Sequence, residues 1–203
     1  MAESPTGTVL ASANPGKLRE LAKLLEPLGQ TLRDMAHFKL ESPEETGLTF
    51  VENALIKARH ASEKTGWSAI ADDSGLVVDA LHGAPGIYSA RYAGVGACDD
   101  ENLRKLLEDL KDVPQAQRGA SFFTCVVHMR HAADPVPLIC YGQWRGRILE
   151  APRGAHGFGY DPIFAVPERD FRASAELAPQ DKNAISHRGR ALALLIEGLR
   201  TAR

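Results

Sequence analysis

Short apolar runs alternate along this chain with leucine-rich stretches of helical period, and polar, glycine-containing loops separate them. Val9-Leu-Ala-Ser12 reads as a strand that ends in a loop. Leu18, Leu21, Leu24, Leu25 and Leu28 then recur at helical spacing, and Gly29 closes that helix. Thr49 with Glu52 three residues later forms a capping box, and Val51, Ala54, Leu55 and Ala58 mark one face of a helix that runs to Thr65-Gly66. Ser68-Ala-Ile-Ala71 reads as a brief strand entering a turn at Asp72-Asp73-Ser74-Gly75, after which residues 76–81 fit either an extended or a helical continuation. Asp99 or Asp100 is placed to cap a helix bearing Leu103, Leu106, Leu107 and Leu110. Residues 120–130 and 137–144 are rich in β-formers and predict an antiparallel hairpin; residues 162–166 predict another strand. Ser186 caps a last helix with Leu192, Leu195, Ile196 and Leu199 inward. Interleaved strands and helices that include a hairpin require a mixed sheet, so the class is α/β or α+β.

At 203 residues the chain holds one sizeable core or a two-lobed unit, read as a single domain over 1–203. Twenty-four Lys and Arg against 26 Asp and Glu leave a formal charge of -2, which supplies no basic field for a long polyanion and argues against a nucleic-acid partner. The first eight residues have neither a basic start nor an apolar run, and no stretch approaches the roughly 20 apolar residues that span a bilayer. The expectation is a soluble cytoplasmic protein without a membrane partner. Cys98, Cys125 and Cys140 are odd in number and lack C-x-x-C spacing, which reads as buried reduced thiols.

Five polar constellations lie between these elements. Ser12-Ala-Asn-Pro-Gly-Lys17 joins a strand to a helix start, where free N–H groups and the dipole suit a phosphate; the alternative is an ordinary turn with a solvated lysine. Asp72 and Asp73 repel one another unless a cation or a shared proton intervenes, which suggests a hard divalent ion, with Glu44 and Glu45 in a second acidic loop; a solvated acidic turn is the plainer reading. Asn53 and Lys57, four apart, stack on one helix face as a polar stripe, which is more often solvent decoration than function. Gly157-Phe-Gly-Tyr-Asp-Pro162 offers two rings for a planar group, or two aromatics for a core corner. His187 and Arg188 fall in the first turn of the last helix, where cations oppose the dipole unless an acceptor faces them. His128 and His131 read as hairpin surface, and no G-x-S-x-G or activated cysteine is present.

In this order the segments resemble the inosine triphosphate pyrophosphatase, or HAM1-like, family. The resemblance is carried by Ser12-Ala-Asn-Pro-Gly-Lys17, by Glu44-Glu-Thr-Gly-Leu-Thr-Phe-Val-Glu-Asn-Ala54, by Ala71-Asp-Asp-Ser-Gly75 running to Gly83-Ala-Pro-Gly-Ile-Tyr-Ser-Ala-Arg91, by Gly157-Phe-Gly-Tyr-Asp-Pro162 and by Ile185-Ser-His-Arg-Gly189. It implies an α/β fold with a long curved mixed sheet, flanking helices and two lobes around a nucleotide cleft, in a homodimer. The implied activity is Mg2+-dependent hydrolysis of ITP, dITP and XTP to the monophosphate and pyrophosphate, which cleanses the nucleotide pool. A house-cleaning enzyme for other modified nucleotides and a non-catalytic nucleotide-binding module are the alternatives.

Position by position, the resemblance implies Asp73 and Lys57 as catalytic residues and Glu45 with Asp73 as the magnesium site. It implies Ser12, Ala13, Asn14, Pro15, Gly16, Lys17, Ser74, Phe158, Gly159, Tyr160, Asp161, Lys182, His187 and Arg188 as nucleotide contacts. One departure is His156, where the family commonly has a further glycine.

Overall fold

The computed structural model describes residues 7–12 and 15–201; Ala13 and Asn14 of the expected substrate loop lie outside the described residues. The elements run β1 (Thr8–Leu10), α1 (Pro15–Leu25), β2 (Leu32–Asp34), α2 (Phe50–Thr65), β3 (Ser68–Val78), α3 (Asp99–Asp109), β4 (Gly119–Met129), β5 (Leu138–Ile148), β6 (Phe164–Val166), β7 (Arg172–Ala173), α4 (Pro179–Ile185) and α5 (His187–Thr201). Seven described strands form one sheet in the order β2-β1-β3-β4-β5-β6-β7. β1 pairs in parallel with β2 and β3, whereas β6 pairs antiparallel with β5 and β7, so the sheet is mixed and the class α/β. No helix among the described residues is long and apolar enough to cross a membrane.

The chain forms two compact units. The first comprises the chain up to Asp73, Cys125–Tyr141 and the residues from Ala191 onward; the second comprises Ser74–Thr124 and Gly142–Arg190. In the first unit the two-residue period of the strands divides the side chains between two apolar layers. Leu10, Ile70 and Val126 pack with Leu21 and Leu25 of α1 and Leu192 and Leu195 of α5. Their sequence neighbours Val9, Ala69, Ala71, Cys125 and Val127 pack with Ala54, Ala58 and Ala61 of α2. Those three alanines lie at helical spacing, and their small volume lets α2 approach the strand backbone closely. Thr49 caps α2, its Oγ1 accepting the Glu52 N–H, while the Glu52 carboxylate accepts the Leu48 N–H and the Thr49 hydroxyl. In the second unit Trp144, Phe164 and Phe122 pack beside Leu103, Leu106 and Leu110 of α3.

Several sequence expectations change. Asp72-Asp73-Ser74-Gly75 is no turn, because β3 runs through it to Val78 before a short 3-10 turn at Asp79–Leu81. α3 is capped by Cys98, whose N–H donates to the Glu101 carboxylate, rather than by an aspartate. Cys125 and Cys140 are buried as expected and burial pushes the Cys125 thiol up to about 12, but Cys98 is exposed at its helix start. His128 is buried within β4 rather than on a surface, and that burial lowers its pKa. Ser186 does cap α5, its Oγ accepting the Gly189 N–H, and it follows directly upon α4, a helix not expected from the sequence.

Candidate active site

In the first unit the strand period sorts the two adjacent aspartates. Asp73 is in phase with Ala69 and Ala71, toward α2; Asp72 is in phase with Ile70, toward α1. Each meets a lysine of the helix on its own side. Lys17 Nζ of α1 donates to both Asp72 oxygens at 2.7 and 2.8 Å. Lys57 Nζ of α2 donates to Asp73 Oδ1 at 2.7 Å and to Glu45 Oε1 at 3.1 Å. The sequence-level argument that the adjacent carboxylates need a cation between them therefore gives way to a geometric one: alternation separates them and each has its own ammonium. Both aspartates are buried. Removing one partner of a buried pair costs about 3–5 kcal/mol because the other charge is stranded, whereas an exposed pair contributes about 0–1 kcal/mol. Each lysine therefore stabilises the buried carboxylate that it meets.

Burial raises the Asp73 pKa above the ordinary carboxylate value, and the neighbouring Glu45 adds to this, although Lys57 and the Asn53 amide act in the opposite sense. Burial alone would lower the Lys57 pKa; the charges of Asp73, Glu45 and Asp72 outweigh it and hold the ammonium charged. Asp73 is thus a carboxylate of increased basicity beside a fixed positive charge, which suits acceptance of a proton from water. The polar stripe is not solvent decoration: Asn53 is 0% exposed and Lys57 is turned into the acidic cluster. Asn53 Oδ1 accepts the Gly47 N–H at 2.8 Å, holding the loop that carries Glu45. Glu44, the other acid of that loop, is exposed.

The second unit contains a cavity lined by Ser74, Phe158, Lys182, Asn183, His187 and Arg188 among others. The two rings of the Gly157–Pro162 segment have different fates. Phe158 is 64% exposed, with Lys182 Nζ 5.2 Å from its ring centroid. Tyr160 is buried in the apolar core, and its hydroxyl donates to the Ser89 carbonyl at 2.9 Å. Asp161 is buried too: its carboxylate accepts from the Phe158 N–H, from Ser174 Oγ at 2.8 Å and from Lys182 Nζ. Gly157 is required because its φ is +83° and a Cβ there would fall 2.1 Å from Asp161 Oδ2. His156 is not among the non-glycine residues at positive φ, so its backbone conformation does not call for a glycine; its N–H donates to the Ala175 carbonyl at 3.0 Å. The His187 ring stacks on Phe122 with centroids 5.0 Å apart and planes 14° off parallel. Ser74 Oγ is 2.7 Å from Thr124 Oγ1.

Of the residues named from sequence, Lys17, Glu45, Lys57 and Asp73 belong to the acidic and ammonium cluster of the first unit, and Ser74, Phe158, Gly159, Tyr160, Asp161, Lys182, His187 and Arg188 line the cavity of the second. Ser12 follows β1, its N–H donating to the Leu10 carbonyl, and Pro15 and Gly16 begin α1. Asp72, Asp99 and Phe122 carry roles that the motifs did not assign. Asp99 Oδ2 accepts the Gly159 N–H at 2.7 Å across 60 residues of sequence, a contact with no local signal. Asp72 had a signal, since strand phase alone assigns it to the helix opposite its neighbour.

Residues 8–198 match the model of the Ham1 family. The chain is 59% identical over 194 residues, 96% of its length and 98% of the other's, to a dITP/XTP pyrophosphatase of Yersinia pseudotuberculosis. The solved structure of a HAM1 protein from Coxiella burnetii superposes with a TM-score of 0.92 at 51% identity, covering 96% of this chain and 98% of that one. A nucleoside-triphosphatase / dITP/XTP pyrophosphatase from Mycobacterium abscessus superposes with a TM-score of 0.79 at 45% identity, covering 93% and 98%. The agreement of fold, of nearly the whole sequence and of length on both sides establishes that the chain belongs to the Ham1 family.

Proposed function

We propose that this chain is a nucleoside triphosphate pyrophosphatase that hydrolyses the non-canonical purine nucleotides ITP, dITP and XTP to the monophosphate and pyrophosphate, and so clears them from the nucleotide pool. The observation that carries the reading is the convergence of Glu45 and Asp73 on Lys57, with Lys17 and Asp72 on the other face of the same strand. Similarity to dITP/XTP pyrophosphatases along nearly the whole chain supports the substrate class.

Phosphate chemistry belongs to the first unit. Water attacks the α-phosphorus, its oxygen forming the new P–O bond while the bond from that phosphorus to the β-phosphate bridging oxygen breaks, and pyrophosphate leaves. Asp73 takes the proton of the attacking water. Lys17 and Lys57, together with the ion that Glu45 and Asp73 would hold, offset the charge of the polyphosphate, which allows a protein of net charge -2 to bind it locally. Glu45 and Asp73 are hard oxygen donors that suit Mg2+; no group of three His, Cys, Asp or Glu among the described residues has metal-holding geometry, and a pair of carboxylates completed by substrate phosphates is the usual magnesium arrangement. When bound there, the ion would neutralise phosphate charge and acidify water.

Base recognition belongs to the second unit, whose first residue, Ser74, follows Asp73 directly in the chain. The exposed Phe158 ring offers a stacking face, and Lys182 and Arg188 are donors that match a 6-oxo group and mismatch the 6-amino group of adenine. His187 shares this lining. The active form is a cytoplasmic homodimer acting on small nucleotides, with neither nucleic acid nor membrane as partner.

The test is purified protein with Mg2+ and a panel of ITP, dITP, XTP, GTP, ATP and modified pyrimidine triphosphates, scored for pyrophosphate against orthophosphate. Pyrophosphate from ITP, dITP and XTP at rates well above ATP is the expected result. Preference for another base moves the enzyme to other modified nucleotides, release of orthophosphate moves the attack to the γ-phosphorus, and binding without turnover makes the protein a nucleotide-binding module.

A further inference from the structure

We infer that Asn53 is a positioning residue that sets the spacing of the Glu45–Asp73 carboxylate pair, holding the acidic loop with one end of its amide and facing the catalytic carboxylate with the other. The inference rests on the pyrophosphatase reading above for its functional consequence, but its structural half stands alone.

Four observations lead to it. Asn53 is completely buried, unusual for an asparagine at the first turns of a helix whose outer face is charged. Its Oδ1 accepts the Gly47 N–H at 2.8 Å, two residues from Glu45. Its Nδ2 is buried without a hydrogen-bond partner in ordinary geometry, while the amide still favours the charged form of Asp73. A buried amide group is normally satisfied, so this unpaired N–H is a donor available to the neighbouring carboxylate. Finally, Gly47 has no room for a side chain: a Cβ would lie 2.7 Å from Asn53 Oδ1 and 2.6 Å from Glu52 Cβ.

The geometry has a direct consequence. Glu45 reaches Lys57 only while the 44–49 loop lies against the first turn of α2, and hydrogen bonds to Glu52 and Asn53 keep it there. Glu52 holds Leu48 and Thr49, the cap end of the loop. Among the described residues Asn53 holds the Gly47 end, toward Glu45. Because Asn53 and Lys57 are one helical turn apart on the same face, the residue that anchors the loop and the residue on which both carboxylates converge are fixed by one rigid element. The placement of Glu45 against Asp73, which β3 carries, is thereby set by α2 rather than by the loop's own conformation.

The test uses Asn53→Ala, with Gly47→Ala as an independent second variant that pushes the loop from the other side and leaves Asn53 intact. Neither need touch the substrate. In the unmodified protein the Gly47 amide should be protected from hydrogen exchange, and protection should fall at least tenfold in both variants. Mn2+ binding, followed by its paramagnetic resonance in the absence of nucleotide, should weaken about tenfold or more in both, and kcat with ITP should fall further than KM rises. Asn53→Asp, which keeps the acceptor for Gly47 but not the donor, should restore amide protection without restoring kcat. Folded variants with unchanged Gly47 protection would overturn the inference whatever the enzyme's substrate proves to be. Lost protection with unchanged Mn2+ affinity and kcat would overturn its functional half. Should Asn53→Ala not fold, Gly47→Ala decides alone. An unmodified protein that neither binds Mn2+ nor releases pyrophosphate would instead count against the pyrophosphatase reading, with the exchange measurement still deciding the anchoring.

Discussion

Lys57 Nζ donates to Asp73 Oδ1 across 2.7 Å and, from the same atom, to Glu45 Oε1 across 3.1 Å. An ammonium shared by two carboxylates keeps a partner when either is neutralised. Asp73→Asn should therefore fold, since Glu45 still pairs with Lys57, yet it lacks the carboxylate proposed to accept the proton. The expected loss in kcat with ITP is about 10²–10⁴-fold, with nucleotide binding, measured by calorimetry with the monophosphate product, within a few-fold of the unmodified protein. Near-normal turnover would remove Asp73 from the role of base.

The two rings of the Gly157–Pro162 segment separate binding from stability. Phe158 is largely exposed over the cavity whereas Tyr160 is buried with its hydroxyl on Ser89. Base–aromatic stacking contributes about 1–3 kcal/mol, so Phe158→Ala should raise KM for ITP by roughly one to two orders of magnitude and leave the melting temperature almost unchanged. Tyr160→Phe removes one buried hydrogen bond of about 0.5–1.5 kcal/mol, and for a chain of this size that lowers Tm by a few degrees while KM stays the same. The opposite pattern in paired melting and kinetic measurements would exchange the roles given to these residues.

Arg188 lines the cavity beside Lys182 and His187. A donor aimed at a 6-oxo group loses its partner when adenine is presented, and such a mismatch discriminates strongly. Arg188→Ala should reduce the ratio of kcat/KM for ITP over ATP by about tenfold or more, with little effect on folding. An unchanged ratio assigns base selection elsewhere.

Much of this was legible in the sequence because helices announce themselves. The Thr49–Glu52 cap and the helical recurrence of Val51, Ala54, Leu55 and Ala58 define α2, which runs to Thr65. The central strand was harder. Asp72-Asp73-Ser74-Gly75 has the composition of a turn, and local propensity favours that reading. The strand passes through it because Ala69 and Ala71 on one face and Ile70 on the other are already committed to opposite apolar layers, and each aspartate meets a lysine from the helix on its side. Tertiary pairing overrides propensity there, and the partner lysines lie 55 and 16 residues away. The same limit applies to Asp99 and Gly159 and to Asn53 and its loop. Residue types reveal a polar stripe, but only packing shows that Asn53 lies inside and Glu44 outside. The expected departure at His156 needed the backbone to show that the position is not held at positive φ.

Asp134, in the connection after β4, gives a stability prediction with a definite sign. Its side chain is 1% exposed, and its carboxylate accepts from the Arg130 N–H at 3.0 Å, from Arg130 Nε at 2.8 Å and from the Val136 N–H at 3.1 Å. The Arg130 hydrogen bonds, with the backbone N–H groups of Arg130 and Val136, hold its pKa well below the ordinary value against the effect of burial. A carboxyl whose pKa is lower folded than unfolded binds more protons when unfolded, so it adds stability above its unfolded pKa, about 3.9, and that contribution disappears as pH falls from there through the folded value. Asp134→Asn should therefore melt at a lower temperature than the unmodified chain at pH 7 and by a nearly constant margin down to about pH 5. Below about pH 4 the margin should shrink steadily, because the unmodified chain loses what the variant never had. Melting curves of both proteins from pH 7 to pH 2 check this, and a margin that widens on acidification would show that the Arg130–Asp134 contact does not stabilise the fold.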